Sequence, residues 1–106
     1  MNYTMCSFTV KPEKLKEVKR ALTEFVLEIR RNEPRTFYLA FREASKCTFF
    51  TLMSFENEAA QRRHSQSQHM HRFVKKLLPG CAGKPRFTDL YQLASSKKQW
   101  VLEPAR

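Results

Sequence analysis

The sequence predicts one small α+β domain, an antiparallel sheet with its helices on one face. Three observations carry that reading. Four segments alternate or are rich in aromatic and β-branched residues, and two longer ones repeat their apolar residues at helical spacing. The segments follow one another as β-α-β-β-α-β, the split βαβ order of a ferredoxin-like fold. A chain of 106 residues suits one core and leaves no stretch for a second. Residues 1–95 are therefore read as a single domain and 96–106 as a tail.

The first strand is expected over residues 3–10, where Cys6, Phe8 and Val10 alternate with Tyr3 and Met5. Pro12 follows at a position suited to a first helical turn, where its missing N–H has no partner to lose, and Glu13 complements the helix dipole. Leu15, Val18, Leu22, Phe25, Val26 and Ile29 then recur at helical spacing. Asn32 and Glu33 close this helix, because Pro34 disfavours the α conformation in the residue before it.

Residues 36–42 and 48–55 are aromatic and β-branched, and the polar link 43–46 suits a hairpin. Asn57 caps the next helix, on which Ala60 and His64 share a face at a spacing of four. Ser65, Gln66, Ser67 and Gln68 are poor interior residues, so the segment is read as two helical pieces with a break near Ser67, which can cap the restart. Met70, Phe73, Val74 and Leu77 resume the apolar stripe before Pro79 and Gly80. Residues 85–93 alternate again as a last strand, and Trp100, Val101 and Leu102 form one apolar group in the charged tail.

Strands two and three are apolar on both sides, Phe37, Leu39 and Phe41 against Tyr38 and Ala40, then Phe49 and Met53 against Phe50 and Leu52. Helices cover only one face, and a large exposed apolar patch marks an interface. A homodimer through the sheet face, with the tail reaching onto the partner, is the expectation.

The formal net charge of +10 concentrates anions near the surface, but Arg30-Arg31, Arg62-Arg63, Lys75-Lys76 and Lys97-Lys98 are dispersed pairs rather than one block. Cys6, Cys47 and Cys81 are odd in number and widely spaced, which gives neither a disulfide framework nor a paired metal site. The amino terminus lacks the pattern of a secretory signal, and no run of about 18 apolar residues occurs. A cytoplasmic protein without a membrane partner is expected.

With the segments placed, residues 49–78 resemble the antibiotic biosynthesis monooxygenase family. An aromatic strand ends in Ser54-Phe55-Glu56, an Asn-Glu-Ala-Ala helix start follows, and then come His64, Ser67, His69, Phe73 and Leu78; Arg31-Asn32-Glu33-Pro34 also looks like that family's turn. The chain departs from the family pattern at Arg35, where Gly is frequent, and at Met53, where an acidic residue is. Haem-degrading relatives carry an Asn on the first strand, which residues 3–10 lack, a Trp where His64 stands and a His where Val74 falls. Haem degradation is therefore disfavoured. The resemblance implies a dimeric α/β barrel that oxidises a small electron-rich aromatic, of anthrone or quinol type, with molecular oxygen and no cofactor.

Such chemistry needs an apolar enclosure, a base and a donor that steadies the substrate anion. His64 is the candidate catalytic base, since it shares the inward face of Ala60 and a histidine's unperturbed pKa suits that role. His69 is read as a backbone cap beside the break that also borders the substrate, and His71 as exposed. No metal is expected, because three histidines separated by five and by two do not form the i, i+4 pair of a helical metal motif. Asn32 is a candidate donor, Tyr38, Phe50 and Phe55 are candidate walls for an aromatic ring, and Arg63 a candidate for steering an anionic substrate.

Rival readings keep the fold and change the function: an isomerase, a ligand-binding domain without turnover, or an RNA-binding module. The last is disfavoured because residues 48–55 lack the Lys/Arg-Gly-aromatic-Gly-aromatic pattern of that module.

Overall fold

A computed structural model of the chain describes residues 2–97. Four strands, β1 (Asn2–Thr9), β2 (Phe37–Arg42), β3 (Thr48–Ser54) and β4 (Arg86–Tyr91), form one antiparallel sheet in the order β2-β3-β1-β4. Three helices, α1 (Leu15–Asn32), α2 (Glu58–Gln66) and α3 (Gln68–Gly80), connect them in the expected order. The apolar tail group around Trp100 lies outside the described residues.

A single 3-10 turn, Pro12–Lys14, leads into α1. The helix buries Val18, Ala21, Leu22, Phe25 and Ile29, which is the stripe the spacing predicts. It stops at Glu33, whose N–H still donates to the Ile29 carbonyl, with Pro34 preventing another turn. Asn57 caps α2 by accepting from the Ala60 N–H.

The break between α2 and α3 is one residue wide rather than four. Ser65 and Gln66 remain helical, and Ser67 alone is extended, with φ −71° and ψ 153°. Its hydroxyl donates to the His64 carbonyl at 2.7 Å and accepts from the Met70 N–H at 3.1 Å. One side chain therefore ends one helix and caps the next, which offsets the lost backbone hydrogen bonds.

Pro79 does not end α3 where the sequence suggests; the helix runs on to Gly80. The Lys11 N–H donates to the Gly80 carbonyl, the Lys11 ammonium donates to that of Pro79, and the Cys81 N–H donates to that of Leu78, so the C-terminal carbonyls find partners. Gly80 is required there, because a Cβ would lie 2.7 Å from Cγ2 of Val18.

Strand pairing sorts the side chains onto two faces. Tyr38 lies opposite Met53, Ala40 opposite Thr51, Thr4 opposite Met53 and Cys6 opposite both Thr51 and Phe87; this face meets the helices. On the other face Phe37 lies opposite Ser54, Leu39 opposite Leu52, Phe41 opposite Phe50, and Met5 opposite Leu52. The core of Cys6, Phe8, Val10, Phe49 and Met53 packs against Val18, Leu22, Phe25, Phe73 and Leu77. Phe25 is its centre at the site end, stacked on Phe73 with centroids 4.5 Å apart and edge-on to Tyr38 at 5.5 Å.

Candidate active site

The one-residue break has a geometric consequence. On an unbroken helix, residues five apart point about 140° away from each other. Across Ser67, His64 in the last turn of α2 and His69 in the first turn of α3 turn toward one another, with ring centroids 6.3 Å apart. Both are buried.

Glu33, just past the end of α1, lies between them. Nδ1 of His64 is 3.0 Å from each carboxylate oxygen, Nε2 of His69 bonds Oε2, and the Thr36 hydroxyl donates to Oε1 at 3.0 Å. Burial pushes the Glu33 carboxyl up, yet the hydrogen bonds from His69, His64 and Thr36 together with the charge of His64 outweigh it, and the net shift is below the ordinary carboxylate value. An ionised Glu33 accepts from both rings. That fixes the hydrogen on Nδ1 of His64 and on Nε2 of His69.

On its other side His64 borders a cavity of about 410 Å³ between α2, α3 and the sheet, whose walls include Tyr38, Thr51, Met53, Phe55 and Phe73. Phe55 and Phe25 flank the imidazole, with centroids 4.9 and 5.7 Å away. Burial holds the Tyr38 hydroxyl well above its ordinary pKa, so it stays a donor. The Cys6 thiol, also on the wall, is pushed up to about 11 by burial, with Cys81 adding to the shift and the Thr51 hydroxyl opposing it, and so is no nucleophile at neutral pH. Thr51 is 1% exposed, and its hydroxyl is the one buried side-chain polar atom among the described residues without a hydrogen-bond partner. Tyr38 and Cys6 are its polar neighbours.

Of the residues singled out in the sequence, His64, Tyr38 and Phe55 meet at this cavity. Phe50 does not; it lies on the open face of the sheet, opposite Phe41. Asn32 is exposed, and its amide donates to the Glu28 carbonyl and carboxylate. Arg63 is exposed on α2. His69 is not the backbone cap expected of it, because Ser67 fills that role; its ring serves Glu33 from behind the cavity wall. Sequence reasoning missed Glu33, which it took for a turn residue, and Thr51, which it took for strand.

A model of the antibiotic biosynthesis monooxygenase family matches residues 1–76, a span that holds Glu33, Thr51, His64 and His69. The chain belongs to this family. Solved structures of proteins assigned to it share the fold. One from Bacteriodes thetaiotaomicron is 22% identical, with 92% of this chain and 94% of that one covered and a TM-score of 0.82. One from Caulobacter crescentus is 18% identical, covering 88% and 90%, with a TM-score of 0.80. One from Nitrosomonas europaea is 18% identical, covering 89% and 100%, with a TM-score of 0.78. No curated protein matches the chain. The antibiotic biosynthesis monooxygenase fold thus places His64 and His69 over the sheet, and no helix among the described residues is long and apolar enough to cross a membrane.

Proposed function

We propose that the protein is a monooxygenase that oxidises a small electron-rich aromatic of the anthrone or quinol class with molecular oxygen, using His64 as general base. The observation that carries the reading is His64 itself, a buried imidazole bound through Nδ1 to a carboxylate and bordering an apolar cavity. A volume of about 410 Å³ falls within the roughly 300–1,000 Å³ of small-molecule sites.

The chemistry follows from the order of proton and electron movement. With its hydrogen fixed on Nδ1 by Glu33, His64 offers the lone pair of Nε2 to an acidic C–H of the substrate, and Glu33 steadies the imidazolium that forms. The resulting carbanion, delocalised over the aromatic system, gives up electrons to dioxygen, and a carbon–oxygen bond forms. The peroxide anion takes the proton back from His64, and the hydroperoxide loses water to leave a carbonyl. In sum, a CH₂ and O₂ become a C=O and H₂O. The Tyr38 and Thr51 hydroxyls are the donors on the wall suited to the anion, while Phe55, Met53 and Phe73 keep water from it.

The open sheet face supports a second part of the reading, a homodimer. Phe41 and Leu90 are exposed there, and Phe37, Leu39, Phe50 and Leu52 are half-buried. A two-fold axis would lay this patch on its own copy and cover both at once.

The test is oxygen uptake with a reduced anthrone. Turnover by the wild-type protein is expected, with His64→Ala slower by about 10²-fold or more, the usual share of a positioned general base. A His64→Ala protein that turned over at the wild-type rate would remove His64 from the mechanism.

A further inference from the structure

Glu33, His64 and His69 present one carboxylate and two imidazole nitrogens whose donor atoms all lie within 4.8 Å of one another. We infer that this cluster is a divalent-metal site with Zn²⁺ as its fitting ion, and that Zn²⁺ bound there switches the protein off.

Ligand type is the first argument. Two imidazoles and a carboxylate are the donor set of many zinc sites, which leave a fourth position for water. Spacing is the second. Zinc–ligand bonds of about 2.1 Å in a tetrahedron set neighbouring donors roughly 3.4 Å apart. Nδ1 of His64 now stands 3.0 Å from each Glu33 oxygen, and all three donor atoms lie within 4.8 Å of one another, so shifts of about an ångström would bring them to that spacing. Support from outside the ligands is the third: the Thr36 hydroxyl holds Oε1 of Glu33, and the Ser67 hydroxyl holds the His64 carbonyl, the kind of outer bonds that orient metal ligands.

Entry and placement follow from the cavities. His69 also lines a separate groove of about 220 Å³ between α1 and α3, whose rim carries Glu24 and Glu28 beside Arg72 and Lys76. A cation can arrive from that side. Neither Glu33 nor His69 borders the substrate cavity; of the three only His64 does. The ion would therefore sit behind the His64 ring, out of reach of the substrate, which argues for control rather than for catalysis by the metal.

The switch is a matter of tautomer. Zn²⁺ on Nδ1 displaces the hydrogen that Glu33 keeps there, and the neutral ring must then carry its hydrogen on Nε2, the nitrogen whose lone pair the proposed base role needs. A ring protonated at Nε2 cannot act as the base. This consequence rests on the base role proposed for His64; the binding itself does not.

Calorimetric titration of the chelator-treated full chain with ZnCl₂ tests the site without any reference to turnover. One equivalent per chain is expected, together with a rise in thermal midpoint. Glu33→Gln and His69→Gln should each abolish binding, while His71→Ala, on the exposed side of α3, should keep it. Co²⁺ bound to the wild-type chain checks the ligands without a variant: visible bands of a nitrogen and oxygen site are expected. No binding, binding that survives both substitutions, or a sulfur-to-cobalt charge-transfer band from Cys6, Cys47 or Cys81 would overturn the site. If Zn²⁺ binds as expected but leaves oxygen uptake unchanged, the switch is overturned and the site stands. If no anthrone is consumed with or without Zn²⁺, it is the oxygenase reading that fails.

Discussion

The two faces of the sheet are built from similar side chains and do opposite work. Toward the helices, Phe8, Phe49 and Met53 are buried against α1 and α3, and the polar atoms among them are set into apolar walls. Away from the helices, Phe37, Leu39, Phe41, Phe50 and Leu52 form an apolar sheet surface that no helix among the described residues covers. Hydrophobicity therefore does not identify the working face. What sets the helix side apart is a cluster of polar groups, buried Thr51, His64 and His69 with the half-buried Glu33 between the two rings, and each such group carries a desolvation cost that some interaction must offset.

The two faces should differ most when one ring is removed from each. Phe25→Ala takes away a ring that is 3% exposed and touches Phe73, Tyr38, His64 and His69. It should cost about 3–5 kcal/mol, read as a lowered denaturation midpoint independent of protein concentration. Phe50→Ala removes the same ring from the open face. If the proposed dimer forms through this face, its effect should instead grow with protein concentration. Equal, concentration-independent losses for the two variants would mean that no partner covers the open face.

Glu33→Gln addresses the polar side of the comparison. The amide can donate as well as accept, so it can turn His64 to the wrong tautomer, and oxygen uptake should fall by on the order of 10²-fold, toward the roughly 10⁴-fold seen when such an orienting carboxylate is replaced elsewhere. The same variant changes acid stability. The folded carboxyl titrates below its unfolded value, so its contribution is complete above the ordinary carboxylate range and is lost as pH falls through the lower, folded value. Wild type should thus lose stability relative to Glu33→Gln between those two points, measured by denaturant unfolding at a series of pH values. A stability difference that stays flat through the acid range would mean that Glu33 is not held ionised by its partners.

The strands, the long first helix and the split second helix are legible in the sequence because period, caps and Pro are local signals. Ser67 advertises itself by its polar neighbours, and Phe50 and Phe41 by making their strands apolar on both sides. Which of the two faces a given aromatic takes is a matter of register, which is why Phe50 passes for a cavity wall until its pairing with Phe41 is known. Glu33 is illegible for a different reason. Its role depends on a helix end, a strand entry and two helices meeting in space, and beside Pro34 it reads as turn chemistry. His69 fails with it, since spacing rules for an unbroken helix forbid the contact that the one-residue break at Ser67 allows.

Thr51 separates stability from function on the helix side, with a smaller effect. Its hydroxyl is buried without a partner, an arrangement that costs about 1–3 kcal/mol relative to an apolar group of the same shape. Thr51→Val keeps the shape and removes the unpaired oxygen, so the chain should become more stable by about 1 kcal/mol. If the hydroxyl is kept to meet the substrate anion, the same variant should turn over more slowly, and its loss should appear in kcat more than in KM, since the charge it meets develops only as the reaction proceeds. Greater stability with unchanged turnover would make Thr51 a residue of the sheet alone. Lower stability would mean that the oxygen is satisfied after all, and that the cavity wall is as fully paired as the core around Phe25 is packed.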